Sequence, residues 1–325
     1  MGFLHGFSRR ALGAGIALGL AASAAAAQDY PSEDITLLTG FPPGSGADVL
    51  VRYFADKLDD LAGVNVVVEN KAGAAGNIGA EALVNSDPDG YTMYIHAASS
   101  IAANMHLFKD PPVDVANEIQ IAATLNNQAF MLIVPASSPF QTVEELIAGM
   151  QEAGDAGTYG RSNTTGQVMS RIFAEAADLQ TVEVAYGTDT DMIVDLESGI
   201  VDFAMMNPVF SLAQAAEGRV RILAVSTPER LQAAPEYPTF AEAGVPELVM
   251  LSWFAVMVPK ETPEDVVDTI NGWFNEILAM DETVEFLNRN GGDPFISTPE
   301  EGQALLEQQI EDWEGFVAVA GIDPV

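Results

Sequence analysis

The feature that most constrains the fold is the stretch at residues 35–58, ITLLTGFPPGSGADVLVRYFADKL, where an apolar run meets a loop of proline, glycine and serine. Apolar residues then recur with the spacing of one helix face, at Ala47, Leu50, Val51, Phe54, Ala55, Leu58 and Leu61. A strand that feeds a helix through such a loop leaves unpaired backbone N–H groups at the positive end of the helix. The sequence therefore predicts an anion site built from backbone donors. A plain strand-to-helix connection, with Ser45 as a simple helix cap, is the alternative.

The composition is strongly acidic, because 47 Asp and Glu residues stand against 13 Lys and Arg residues and give a formal net charge of −34. Such a surface disfavours nucleic acid and an anionic membrane face as partners. It repels small anions as well, so an anionic ligand needs local donors, while salt screens charges beyond about 8–10 Å. We therefore expect no nucleic-acid partner.

The first 27 residues have the pattern of an export signal. A basic start, SRR at residues 8–10, precedes an apolar run that ends in a small-residue cleavage site at Ala27. That run is shorter than the roughly 20 residues of a membrane span. The two arginines indicate a twin-arginine signal, and an ordinary signal peptide is the alternative. We predict a cleaved signal at residues 1–27 and a periplasmic mature chain, which has no cysteine for disulfides.

The mature chain alternates short apolar strands with amphipathic helices, which is typical of α/β layers on largely parallel sheets. A second strand–loop–helix unit contains GRSNTTG at residues 160–166. If the two units belong to different domains, their helix starts can face each other across a cleft. Two later helices have the signature of a threonine cap followed by proline and an acid, at Thr262 and Thr298.

The sequence contains few of the motifs that enzymes use for catalysis. Only His96 and His106 remain after the predicted signal, and without cysteine they make a weak case for a metal site. GRSNT at residues 160–164 lacks the last glycine of a nucleophile elbow. GSG at residues 44–46 lacks the further residues of a dinucleotide or phosphate loop. We predict no catalytic residue, no metal site and no cofactor.

Five stretches carry a family resemblance that runs in order along nearly the whole mature chain. They are TGFPPGSGADVLVRYFADKL (39–58), VVVENKAGAAGNIGAEALVNSDPDGYTMYIHAASS (66–100), VEVAYGTDTDMIVDLESGIVDFAMMN (182–207), ILAVSTPERLQAAPEYPTFAEAGVPE (222–247) and LSWFAVMVPKETPEDVVDTIN (251–271). Together they resemble the periplasmic solute-binding proteins of tripartite tricarboxylate transporters, the Bug or TctC-type family. The resemblance implies an α/β, two-domain fold of the periplasmic binding protein type (type II-like), with a ligand cleft between the domains and crossing hinge strands. It implies one domain at residues 28–126 plus 251–325 and the other at 127–250.

The resemblance also implies which residues line that cleft. The first loop contributes Phe41, Gly44, Ser45, Gly46, Ala47 and Asp48. The other segments contribute Ala98, Ser99, Ser100, Arg161, Ser162, Asn163, Thr164, Thr165 and Asn207. Asp48 suits the first helical turn, and contact with a ligand ammonium is its alternative role. Arg161 and Met206 depart from the family pattern. Arg161 either binds a second ligand carboxylate or is a solvated loop arginine. Met206 occupies a position where the family commonly has an aspartate.

These features favour an extracytoplasmic receptor that binds a small organic carboxylate and delivers it to a tripartite tricarboxylate-type membrane transporter. The ligand class is a di- or tricarboxylate, an amino acid or an aromatic acid, and the partners are the permease subunits. We expect a monomer without enzymatic activity. Two alternatives stay open: a secreted enzyme on the same fold that uses cleft carboxylates, and a carboxylate-sensing receptor for a signalling partner.

Overall fold

The computed structural model describes residues 30–324, which form two mixed β-sheets with helices packed around them. The strands are β1 (Ile35–Thr39), β2 (Val66–Asn70), β3 (Thr92–Ala97), β4 (Ile119–Ala129), β5 (Met131–Pro135), β6 (Thr158–Arg161), β7 (Val182–Ala185), β8 (Phe203–Met206), β9 (Val220–Val225), β10 (Leu251–Pro259) and β11 (Gly292–Pro294). The helices are α1 (Gly46–Ala62), α2 (Asn77–Val84), α3 (Ala98–Leu107), α4 (Val115–Glu118), α5 (Val143–Ala153), α6 (Thr164–Ala176), α7 (Asp189–Glu197), α8 (Pro208–Ala216), α9 (Glu264–Leu278), α10 (Asp281–Arg289) and α11 (Pro299–Ala320).

The first sheet has the strand order β11-β4-β10-β3-β1-β2, and the second has the order β7-β6-β8-β5-β9. Strands β2, β1 and β3 are parallel, and so are β7, β6 and β8. The other pairings are antiparallel, so the expectation of largely parallel sheets is wrong. The reason is the path of the chain: it leaves the first sheet along β4 and returns along β10, and an outgoing strand beside a returning one is antiparallel.

Two crossing strands connect the sheets. β4 and β10 pair over their whole lengths, from Ile119 opposite Pro259 to Ala129 opposite Leu251. β4 ends at Ala129 and β5 of the second sheet begins at Met131, so a single residue, Phe130, separates the two sheets on this side. These are the crossing strands that the family resemblance implied.

The long helix α11 contacts both halves of the molecule. It packs on α3 and β4 of the first sheet and on α6 beside the second sheet. Trp253 of β10 is fully buried and donates from Nε1 to Gln309 of α11 at 2.7 Å. At the other end, Arg171 of α6 donates to the carbonyl oxygens of Ala320 and Gly321. A positive side chain at this carbonyl end also complements the helix dipole.

The apolar core has one large cluster that continues from the first sheet into the second, and a smaller cluster on the outer face of each sheet. Strand β1 shows how the first sheet is covered on both sides, because Ile35 and Leu37 face α1 and α9 while Leu38 faces the shared cluster. A strand that is buried on both faces has an almost continuously apolar sequence. The outer cluster of the second sheet includes Ile193 and Leu196 of α7.

Helix starts follow their predicted caps with one exception. Thr298 forms the expected capping box with Glu301, ahead of Pro299. The Thr262 cap is wrong, because α9 begins at Glu264 and Pro263 itself occupies the cap position with an extended ψ of 144°. The buried Thr262 hydroxyl, one residue further out, has no hydrogen-bond partner within the described chain.

The predicted signal peptide lies outside the described residues. Within residues 30–324, the apolar helices are all too short or too polar to span a bilayer.

A glycine inside α2 provides a test of this packing. A Cβ on Gly79 would lie 2.5 Å from Cε2 of Tyr94, whose buried hydroxyl donates to the Gly76 carbonyl at 2.8 Å. Overpacking costs about 1–3 kcal/mol, so we expect Gly79→Ala to destabilise the protein although alanine favours helices. Gly272→Ala in α9 meets open space and should stabilise by about 0.5–1 kcal/mol. Urea unfolding of both variants checks this, and an equal gain at both positions would contradict it.

Candidate functional site

The loop between β1 and α1 is held in one shape by its own residues. Gly44 has a φ of +81°, which glycine adopts without strain. Ser45 then caps α1, and its hydroxyl accepts the Asp48 N–H at 3.2 Å. The N–H groups of Gly46 and Ala47 have no hydrogen-bond partner among the described residues. The start of this 17-residue helix therefore presents two free donors at its positive end.

Asp48 is the residue that fixes this loop. It is buried, and its carboxylate accepts from the Gly44 N–H at 2.8 Å, from Arg52 Nε at 2.9 Å and from Asn70 Nδ2 at 2.7 Å. Burial alone would raise the pKa of Asp48, but the hydrogen bonds from Arg52, Asn70 and Gly44 outweigh it and lower that pKa. Its charge is used inside the loop, so the first-turn role expected for Asp48 fits the geometry better than contact with a ligand ammonium.

The free donors of α1 open into a cavity of about 560 Å³ between the two sheets, called here the first cavity. The wall on the side of the first sheet consists of Phe41, Ser45, Gly46, Ala47, Leu50, Gln128, Phe254 and Asn290. The wall on the side of the second sheet consists of Asp189, Asn207, Val209, Phe210 and Ala213. The cavity therefore has the start of α1 on one wall and the Asp189–Asn207 pair on the other, and its lining also includes the polar side chains of Gln128 and Asn290 and several apolar ones.

A second cavity, of about 470 Å³, also lies between the two halves of the molecule. Here α3 and its neighbours face the start of α6 and the end of the described chain. Its polar lining residues are Ser100, Asn104, Arg161, Asn163, Thr164, Thr165, Gln167 and Asp323. Asn163 caps α6 by accepting the Gly166 N–H at 2.8 Å, so this cavity also contains a helix start.

The residues expected at the cleft divide into three groups. The first cavity brings together Phe41, Ser45, Gly46, Ala47 and Asn207. The second cavity brings together Ser100, Arg161, Asn163, Thr164 and Thr165. Neither cavity is lined by Gly44, Asp48, Ala98, Ser99 or Ser162. These five residues support the walls instead: Ala98 is fully buried, for example, and the Ser162 hydroxyl donates to Asp189.

Arg161 is engaged with an acid of its own sheet. Its Nε lies 2.9 Å from Oε1 of Glu183 on the neighbouring strand β7. Glu183 also accepts from Tyr159, Gln167 and Arg171. Burial raises the pKa of Glu183, whereas these hydrogen bonds and the Arg171 charge lower it, and the net shift is downward. Arg161 and Arg171 therefore share one carboxylate, that of Glu183.

Sequence reasoning missed several lining residues. Gln128, Phe254 and Asn290 reach the first cavity from distant segments, and no local motif marks them. Asp189 follows Thr188, a helix cap whose hydroxyl accepts the Asp191 N–H, and that cap was a usable signal for another strand–loop–helix unit. Met206, in contrast, is fully buried in β8 and belongs to the core.

His96 lies directly behind the first cavity. Its ring stacks on Phe41 with centroids 4.2 Å apart and planes 5° apart, and Phe41 also contacts Phe254. Burial lowers the pKa of His96 to about 4, because the charged form would lose its hydration. His106 is bound elsewhere, with Nε2 2.7 Å from the Ile310 carbonyl oxygen. Residues 30–324 contain no group of His, Asp and Glu side chains arranged to hold a metal ion.

The fold and cleft are those of periplasmic binding proteins, with two α/β halves, crossing strands and cavities between the halves. The start of α1 shares the first cavity with the starts of α7 and α8, whereas the start of α6 lines the second cavity, so the expected pairing of the α1 and α6 starts across one cavity is wrong. Two solved structures agree. One, described as a periplasmic transporter, superposes with a TM-score of 0.77 at 29% identity over 90% of this chain and 99% of its own. The other, Rpa4515 of R. palustris solved with adipate, has a TM-score of 0.79 at 30% identity over 91% of this chain and 100% of its own.

Sequence comparison then gives the family. Residues 50–322 match the family described as the tripartite tricarboxylate transporter family receptor, TctC. The chain is 29% identical to protein BugT of Bordetella pertussis, over 92% of this chain and 93% of that protein. It is 30% identical to a UPF0065 protein from the tcbD-tcbE intergenic region of Pseudomonas sp. strain P51, over 97% and 95%. This chain belongs to the TctC receptor family, as its motifs predicted.

The buried His96 predicts a pH-dependent stability. In the unfolded chain a histidine takes up a proton below about pH 6.5, whereas folded His96 does so only near pH 4. Because the folded pKa is the lower one, stability present above pH 6.5 is lost as the pH falls towards 4, by about 3 kcal/mol in total.

We expect this loss to be smaller in His96→Gln, which has no titrating ring. The measurement is the free energy of unfolding in urea at pH 7, 6, 5 and 4.5, with His106→Gln as the matched control. If wild type and His96→Gln lose stability in parallel over this range, the buried neutral His96 is not the source.

Proposed function

We propose that this chain is an extracytoplasmic receptor that binds a small organic carboxylate between its two halves and delivers it to the permease subunits of a tripartite transporter. In this proposal one domain consists of residues 28–126 plus 251–325 and the other of residues 127–250. The chain acts in the periplasm after loss of residues 1–27, as a monomer.

The observation that carries the proposal is the pair of free N–H groups on Gly46 and Ala47, at a helix start that lines the first cavity. A carboxylate matches this arrangement, because its two oxygens accept from adjacent donors and its charge complements the helix dipole. No cationic side chain lines the first cavity in the described chain, so a dipole-based site fits this highly acidic protein.

The free energies of these contacts are compatible with micromolar binding. Two charge-assisted hydrogen bonds contribute about 3–6 kcal/mol, and a partly buried helix start adds up to about 2 kcal/mol. Micromolar binding needs about 8 kcal/mol. The remainder must come from the opposite wall and from apolar contact with side chains such as Phe41, Phe210 and Phe254.

The relatives support the same ligand class. Rpa4515, at 30% identity, was solved with adipate, which is a dicarboxylate. A receptor also fits the cleft better than an enzyme that uses a pair of cleft carboxylates, since each cavity is lined by a single acid in the described chain, Asp189 in the first and Asp323 in the second. Neither His96 nor His106 lines the first or the second cavity, so histidine does not supply a second acid–base group there.

Blocking the helix start tests the proposal. A Cβ on Gly46 meets open space, so Gly46→Val extends an isopropyl group at the cavity wall without a clash in the fold. We expect at least one acid among succinate, glutarate, adipate, citrate and benzoate to raise the melting temperature of the wild type. Stabilisation at a hundredfold excess over Kd is about 2.7 kcal/mol, a rise of several degrees, and Gly46→Val should lose it.

Gly315→Val, on the exposed face of α11, is the matched control and should respond to ligand like the wild type. Mass analysis after long incubation should recover the ligand unchanged. A flat response of the wild type to every acid, or an undiminished response of Gly46→Val, would refute the carboxylate site. A converted ligand would favour the enzyme alternative.

A further inference from the structure

Asp189 is an acid in the wall that faces the proposed carboxylate site. It is the first residue of α7, half-buried, and it lines the first cavity opposite the free N–H groups of α1. The lining of this cavity in the described chain contains no other charged side chain. A cavity that offers anion donors on one wall and a carboxylate on the other is complementary to a ligand with both signs of charge.

The carboxylate of Asp189 is held in position by neutral donors. The Ser162 hydroxyl donates to Oδ1, and Asn207 Nδ2 donates to Oδ2 at 3.1 Å. Asn207 is itself fixed, because its Oδ1 caps α8 by accepting the Phe210 N–H at 3.0 Å. The amide nitrogen of Asn207 must therefore point at Asp189, and the acid cannot turn freely.

The charge of Asp189 has no counter-ion within the described part of the chain. No Lys, Arg or His nitrogen lies within 4.0 Å of its oxygens. The two arginines of the second sheet nearest in sequence, Arg161 in the lining of the second cavity and Arg171 of α6, both pair with Glu183. Asp48, near the opposite wall, is by comparison paired with Arg52. A carboxylate has about four acceptor positions, and neutral donors use two of those on Asp189.

We propose that Asp189 selects for a cationic nitrogen on the carboxylate ligand, so that the preferred ligand is a zwitterion such as an amino acid and not a dicarboxylate. The inference rests on the proposed function. A ligand carboxylate at Gly46 and Ala47 directs the rest of a short ligand across the cavity towards Asp189. An ammonium there gains a charge-assisted hydrogen bond, whereas a second carboxylate meets a like charge and lowers the affinity.

Three matched ligand pairs test this inference. In each pair an ammonium replaces one carboxylate on the same number of methylenes: β-alanine with succinate, 4-aminobutyrate with glutarate, and 5-aminopentanoate with adipate. Titration calorimetry of the wild type should give a Kd at least tenfold lower for the amino acid than for the diacid in one or more pairs.

Two variants locate the effect. Asp189→Asn should weaken the binding of the preferred amino acid at least tenfold and strengthen the binding of its matched diacid, so that the order of the two affinities is reversed. Because an amide there keeps its acceptor for Asn207 only if its NH2 group donates to the Ser162 hydroxyl, Asp189→Ser provides a second, smaller replacement with the same expectation. Asp191→Asn is the matched control, since it removes the same charge from an exposed position on α7 and should keep the wild-type order.

The outcomes separate the two proposals. If no acid of any pair binds the wild type and neither citrate nor benzoate does, the carboxylate receptor fails and this inference fails with it. If only citrate or benzoate binds, the receptor stands and the role of Asp189 is refuted. If the diacids bind as tightly as the amino acids or tighter in every pair, the receptor stands and the role of Asp189 is refuted. An unchanged order of affinities in both Asp189 variants also refutes it.

Discussion

The rest of the site depends on one buried carboxylate, that of Asp48. It ties Gly44, Arg52 and Asn70 together and so joins the loop after β1 to the end of β2. A loop that is fixed in advance loses little conformational freedom when a ligand arrives. The N–H groups of Gly46 and Ala47 can then remain unpaired at the cavity, because the loop does not fold over them. The carboxylate of Asp48, whose charge is compensated by Arg52, thus fixes the loop whose free N–H groups form the proposed anion site.

The proposed carboxylate site is compatible with a chain of net charge −34. Long-range repulsion is screened over about 8–10 Å, whereas backbone donors act at hydrogen-bond distance. The arginines that would be obvious ligands for a carboxylate have other partners, since Arg161 and Arg171 converge on Glu183 and Arg171 also holds the end of α11. These cationic side chains therefore stabilise structure, and the proposed carboxylate contact depends on backbone donors at the start of α1.

The sequence predicts features that depend on adjacent residues, and it misses features that depend on how distant segments pack together. The loop at residues 39–48 and its Ser45 cap depend on a few adjacent residues, so their pattern was sufficient. The antiparallel pairing of β4 with β10 joins segments more than a hundred residues apart, and periodicity carries no information about strand direction. The partner of Arg161 is likewise set by the pairing of β6 with β7, not by the loop motif that drew attention to it. Asp189 is a first-turn acid of α7, and only the folded chain shows that it lines the same cavity as the start of α1.

The two polar ends of the first cavity belong to different sheets, and this makes recognition dependent on the geometry between them. Gly46 and Ala47 follow β1 of the first sheet, whereas Asp189 and Asn207 follow β7 and β8 of the second. A ligand that touches only one wall gains only part of the contacts, so its full affinity requires the walls to be at the right separation. That separation is governed by the short link at Phe130, by the β4–β10 pair and by α11, which contacts both halves. In the proposed receptor, residues far from the cavity therefore affect affinity by setting the separation of the walls, and a ligand that bridges both walls would stabilise the arrangement in which they meet.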